Sequence, residues 1–290
     1  MAGQGAAGAL QEAYRHCQDV TRDGERDRYL ATLLAPEPAR PALFALYAFA
    51  HEAARVRAVV KQPLAGEIRL QWWRDVIAGE GRGEVAASPV AAALLDVIDR
   101  YDLPRQAFLD LLDARAFDLY DDPMPDVASL EGYCGETSSA LLRLASLILA
   151  GGGDPGGGDA PGHGGVALAI AGLLRGLPWS ARMGQCFVPV ELLARHGASR
   201  DDIVAGRDTP AVRAALADMR ALAQEHYRKF VAALSGSPRA VHAAFLPVAT
   251  TPLYLARLSG DWRPFADVTE PAQWRRQWRL WRAARGAWAG

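Results

Sequence analysis

Apolar residues recur every three and four positions along most of the chain, as at Leu43, Leu46, Tyr47, Ala50 and Ala54, and again at Leu141, Leu144, Ala145 and Ile148. That is the period of an α-helix with a buried stripe. Val, Ile and Thr are nowhere set in the alternating runs that mark strands. Prolines and glycines punctuate the pattern at Pro36–Pro38, Gly79–Gly83, Pro89, Pro104, Pro123–Pro125, Pro210, Pro238 and Pro264. They are expected to bound helices and not to lie within them. The pattern predicts an all-α protein, with no internal repeat.

The first ten residues, MAGQGAAGAL, are small and uncharged, and predict a disordered tail over 1–10. Residues 11–290 read as a single helical domain. The glycine-rich stretch 151–165, GGGDPGGGDAPGHGG, follows a helical run and lacks the Gly-Lys-Ser/Thr ending of a phosphate loop. It reads as a flexible connection between helices of one domain.

Half of the 290 residues are hydrophobic and 22% are charged, the balance of a globular chain. A formal net charge of −1 gives no electrostatic case for nucleic acid. Three scattered cysteines, Cys17, Cys134 and Cys186, read as small core hydrophobes in a reducing compartment. The six histidines show no metal-ligand spacing. Neither a signal nor a transit peptide is recognisable, and no uninterrupted apolar run reaches the roughly 18–20 residues of a membrane span. The expected location is the cytoplasm of a bacterium.

Two apolar segments are nearly free of carboxylates. Arg40–Val60, RPALFALYAFAHEAARVRAVV, contains one acid, Glu52. Val166–Leu193 has no Asp or Glu before Glu191. Near the C-terminus, residues 271–288 form a basic, tryptophan-rich stretch. Its Trp274, Trp278, Trp281 and Trp288 fall on one helical face with Arg275, Arg279 and Arg282 alongside, and no acid follows Glu270. Two readings compete for it. In one, the Trp stripe docks on the bundle and leaves the arginines in solvent; in the other, it meets a membrane interface or a partner.

From about Tyr14 to about Gly236 the chain resembles the squalene/phytoene synthase family. Pro36, Arg40, Tyr47 and Phe49 match the segment that enters the first pocket helix of such proteins. Tyr133 and Cys134 match a later helix, and Arg175 with Phe187, Val188 and Pro189 matches the second metal-bearing helix. The resemblance implies an isoprenoid-synthase-type helical bundle with a central cavity. In that family aspartates hold Mg²⁺ against a prenyl diphosphate. Here the equivalent positions fall on Ala54, Ala58, Gly176 and Ser180, with Pro178 expected to interrupt the second helix.

The order of these short motifs is closer to a narrower group, the complex I assembly factor 6 family and its bacterial relatives. The resemblance implies an assembly or accessory factor for NADH:ubiquinone oxidoreductase, without catalytic residues and without a cofactor. The alternative is a prenyl transferase with a rearranged metal site, and only that reading calls for Mg²⁺. Arg40, Tyr47, His51, Tyr133, Ser138, Ser139 and Arg175 would line a vestigial pocket that takes a lipid or isoprenoid. Arg175 otherwise reads as a helix arginine paired with a carboxylate, and His51 as a polar lining residue. Trp274, Trp278, Trp281, Arg275, Arg279 and Arg282 would contact a complex I partner or the inner membrane peripherally.

Overall fold

The computed structural model describes residues 2–81 and 87–288. Among these every regular element is helical. Part of the Gly79–Gly83 break lies outside the described residues. The chain packs as two compact units, each built from discontinuous segments. The first comprises residues 1–119, 141–156 and 237–246; the second comprises 120–140, 157–236 and 247–290. One boundary between the units falls between Gly156 and Gly157 inside the glycine-rich stretch.

In the first unit, a helix over Ala2–Gly24 packs on the helices Arg40–Ala54 and Pro89–Arg100. Helix therefore begins at Ala2, where a disordered tail is expected. Arg40–Ala54 opens with proline in its first turn, where the missing N–H costs nothing. Every residue from Ala42 to Ala50 is buried, so this helix is apolar on all sides because it is enclosed on all sides. Phe49 meets Trp73 and Phe108 edge-on at centroid distances of 5.0 and 5.6 Å. Trp73 is buried and Trp72 lies at the rim beside it.

In the second unit, two long helices, Asp159–Arg182 and Pro210–Ala233, pack along one another. The latter is capped by Thr209, whose hydroxyl accepts from the Val212 N–H. Asp159–Arg182 is long and apolar enough to cross a membrane by length and composition alone. Over half of its apolar window is buried against the rest of the protein, which accounts for the hydropathy as core. The helix begins inside the glycine-rich stretch, so the connection runs only to Gly158. It also continues through the buried Pro178 to Arg182, without the expected interruption.

All three cysteines are buried, and none is joined in a disulfide among the described residues. Burial pushes the Cys17 thiol up to about 12 and the Cys186 thiol up to about 11, so both stay protonated and unreactive.

Candidate functional site

In the first unit the candidate residues are held by their neighbours. The Arg40 Nε–H donates to the Ala35 carbonyl at 2.9 Å, closing the turn before its helix. Tyr47 is buried under the Arg28 guanidinium, which lies 5.4 Å from the ring centroid. Burial raises the Tyr47 hydroxyl to about 12. His51 Nδ1 lies 3.4 Å from a Glu25 carboxylate oxygen. Only a glycine at 24 allows this approach, since a Cβ there would stand 2.2 Å from the imidazole. Glu52 is half-buried, and burial holds its carboxyl above the usual range despite His16, Arg69, His51 and Arg55 nearby.

The helix ends at Ala54, and Arg55 takes a turn conformation before a short helix over Val56–Val59. Ala54 and Ala58 are four apart in sequence but lie on either side of this break, not on one continuous helix.

In the second unit, Gly135–Ser139 winds as a π-helix directly after the helix Val127–Cys134. Such wide turns are often found at functional sites. The Thr137 hydroxyl donates to the Tyr133 carbonyl at 2.6 Å, and the Tyr133 ring packs on Phe187 at 5.6 Å. Ser138 is buried, and the Ser139 hydroxyl donates to the Gly162 carbonyl at 2.8 Å. A Cβ at Gly165 would stand 2.3 Å from the Ser139 Cα, so the glycine-rich sequence lets the long helix press on the π-turn.

Arg175 is engaged as well. It pairs with Glu270 at 3.5 Å, and its guanidinium lies 4.8 Å from the Tyr254 ring centroid. The carboxylate pairing read from the sequence is the one observed. One turn on, the Ser180 hydroxyl donates back to the Leu177 carbonyl at 3.2 Å. Around Gly176 there is open space where a Cβ would go.

The terminal helix, Gln273–Ala284, reverses the docked reading of its two faces. Trp274, Trp278 and Trp281 are 64%, 55% and 40% exposed, while Arg276, Arg279, Leu280 and Ala283 are buried. Trp288 lies beyond the helix end, buried against Phe230. Arg279 is therefore no surface contact residue. It donates to the Ala249 carbonyl at 3.1 Å, to the Tyr227 hydroxyl at 2.8 Å and to the Trp288 carbonyl. Arg276 pairs with Glu270 at 3.1 Å and donates to the Tyr254 hydroxyl at 3.2 Å. A guanidinium buries readily when fixed acceptors match its fork, and its stem is apolar. Here those acceptors are supplied by carbonyls and hydroxyls far away in sequence.

Two features escaped the sequence. His226 is buried, with Nε2 2.9 Å from Glu131 and Nδ1 3.1 Å from His163 Nδ1. In the neutral pair, His226 Nε2–H donates to the carboxylate and His163 Nδ1–H donates to His226. Burial and then His226 hold the His163 imidazole below its usual range. No short motif links positions 131, 163 and 226. The second feature is a cleft of about 190 Å³ lined by Arg213, Arg220, Leu258 and Trp262. Its arginines donate to the Trp262 and Leu258 carbonyls at 3.1 and 2.8 Å and so brace the loop beside it.

Residues 21–282 match the profile of the squalene/phytoene synthase family. The chain belongs to this family. It is 28% identical over 263 residues to the NADH dehydrogenase (ubiquinone) complex I, assembly factor 6 of Rattus norvegicus, covering 91% of this chain and 78% of that one. It is 27% identical over 214 residues to the 15-cis-phytoene synthase of Synechocystis, covering 68% and 62%. Among solved structures, a dehydrosqualene synthase in complex with ligand superposes with a TM-score of 0.77 at 17% identity, over 97% of this chain and 98% of that one. That likeness confirms the isoprenoid-synthase-type helical fold.

The squalene/phytoene synthase family implies Mg²⁺ held by helix carboxylates, and the residues present do not fit it. Hard Mg²⁺ takes oxygen donors, chiefly carboxylates and phosphates. Ala54, Ala58 and Gly176 offer no side-chain oxygen, and the Ser180 hydroxyl is turned back onto its own helix. Among the described residues no three His, Cys, Asp or Glu side chains are grouped to hold a metal. Asp118 is buried and paired with Arg115 at 3.0 Å.

Proposed function

We propose that this squalene/phytoene synthase family member is a non-catalytic accessory factor for assembly of respiratory complex I, working in the bacterial cytoplasm. One observation carries the reading: the chain follows a complex I assembly factor 6 over nearly its whole length, yet has no carboxylate at the four positions where family enzymes hold Mg²⁺. If metal electrostatics supply about 6 kcal/mol to diphosphate departure, their loss removes about four orders of magnitude in rate. Arg40, Arg175 and His51 are each held by a neighbour in this chain, which favours a structural role over diphosphate binding.

Gene deletion tests the proposal, with NADH:quinone oxidoreductase assembly and isoprenoid content measured together. Loss of assembled complex with unchanged isoprenoids is expected. Normal complex with lost isoprenoids would overturn it in favour of a prenyl transferase, the reading that the likeness to phytoene synthases keeps in view. The purified protein is expected to release no pyrophosphate from farnesyl or geranylgeranyl diphosphate with Mg²⁺. Organic extraction of the same sample reports any bound lipid.

A further inference from the structure

We infer that the outer face of the Gln273–Ala284 helix is a docking surface for an anionic lipid bilayer. Trp274, Trp278 and Trp281 follow one another at spacings of four and three, on the side opposite the buried Arg276, Arg279, Leu280 and Ala283. Trp278 and Trp281 stack, with centroids 4.9 Å apart and planes 18° apart. The three indoles make a continuous exposed aromatic strip, which is costly in water and suited to the headgroup level of a membrane.

The charges beside the strip select the lipid. Arg275 lies over the Trp274 ring at 5.3 Å and Arg285 over the Trp281 ring at 3.4 Å, while Arg282 flanks them. None of these three arginines meets a carboxylate among the described residues, and no acid follows Glu270. Near an anionic leaflet each such arginine is expected to strengthen binding by about fivefold, an effect lost with rising salt. An acidic protein surface would suit the charges but has less use for three exposed indoles. Bilayer headgroups take both.

The helix is not free to turn this face inward. Arg276 and Arg279, on the opposite side, are tied to Glu270, Tyr254, Tyr227 and two main-chain carbonyls, so the strip is presented before any membrane is met. The inference stands on these contacts alone and is independent of a role with complex I.

The test is co-sedimentation of the full-length protein with phosphatidylcholine vesicles, with and without phosphatidylglycerol, at low and high salt. Binding only to the anionic vesicles is expected, with a blue shift of Trp emission and release by salt. Trp278→Ala with Trp281→Ala, and separately Arg275→Gln with Arg282→Gln and Arg285→Gln, should each weaken binding at least about tenfold. Arg275, Trp278, Trp281 and Arg285 are exposed and Arg282 is half-buried, and unchanged thermal unfolding certifies the fold of each variant. Absence of binding at low salt would overturn the inference, including in favour of a protein partner. So would equal binding to both vesicle types, or binding that neither variant weakens.

Discussion

Arg279 and Tyr227 converge on one acceptor: the guanidinium donates to the Tyr227 hydroxyl at 2.8 Å, and both donate to the Trp288 carbonyl. Arg279 is buried and meets no carboxylate among the described residues, so its charge is stabilised by oriented dipoles alone. Arg279→Ala is expected to cost about 3 kcal/mol, because the hydroxyl and two carbonyls lose a charged donor. Tyr227→Phe should cost about 1 kcal/mol, since Arg279 keeps its carbonyl partners. Denaturant unfolding of both singles and the double should show strong non-additivity. Additive losses would refute a shared network.

Gly165 and Gly24 both lack room for a side chain, but the obstacle differs. At Gly165 it is the Ser139 backbone; at Gly24 it is the His51 ring, which can rotate. Gly165→Ala should destabilise by about 3 kcal/mol, as overpacking against a main chain that cannot retreat. Gly24→Ala should cost about 1 kcal/mol or less, and His51→Ala in the same protein should remove that cost. Thermal melts of the three variants check the contrast.

His163 titrates below its ordinary value of 6.5, through burial first and then through the charges of His226 and Lys229, with Asp159 and Glu131 opposing. The folded protein thus binds this proton less readily than the unfolded chain. The stability linked to His163 is complete above about pH 6.5 and is lost as the pH falls through the folded-state value. His163→Gln should flatten the fall in melting temperature on acidification below that point. An unchanged slope would place the effect elsewhere.

Glu52 has the opposite sign. Its raised value means that the folded state holds the proton more tightly, so its contribution is favourable below the ordinary 4.5 and is lost as pH rises through the folded value. Glu52→Gln is expected to raise the melting temperature at neutral pH and to make little difference near pH 4.

The helices were legible because local signals agreed: the three-to-four period, with Pro89 and Pro210 opening their helices. Pro178 stays inside its helix because a long buried helix absorbs the one main-chain bond that a proline removes. The buried face of the terminal helix was illegible for a different reason. Charge patterning assigns arginine to solvent, and nothing local reveals that residues 227, 249, 254, 270 and 288 will supply acceptors. At the candidate site, the missing carboxylates were legible through the resemblance to the family, whereas the break at Arg55 and the π-turn at Gly135–Ser139 depend on packing.

The ties of Arg276 and Arg279 have a kinetic consequence. Many surface-seeking helices fold only on reaching lipid and spend part of their binding energy on that ordering. In this protein the ordering is settled during folding of the chain, so adsorption requires no coil-to-helix step. Attachment and release should then track ionic strength and leaflet charge almost without lag, giving a contact suited to repeated brief visits.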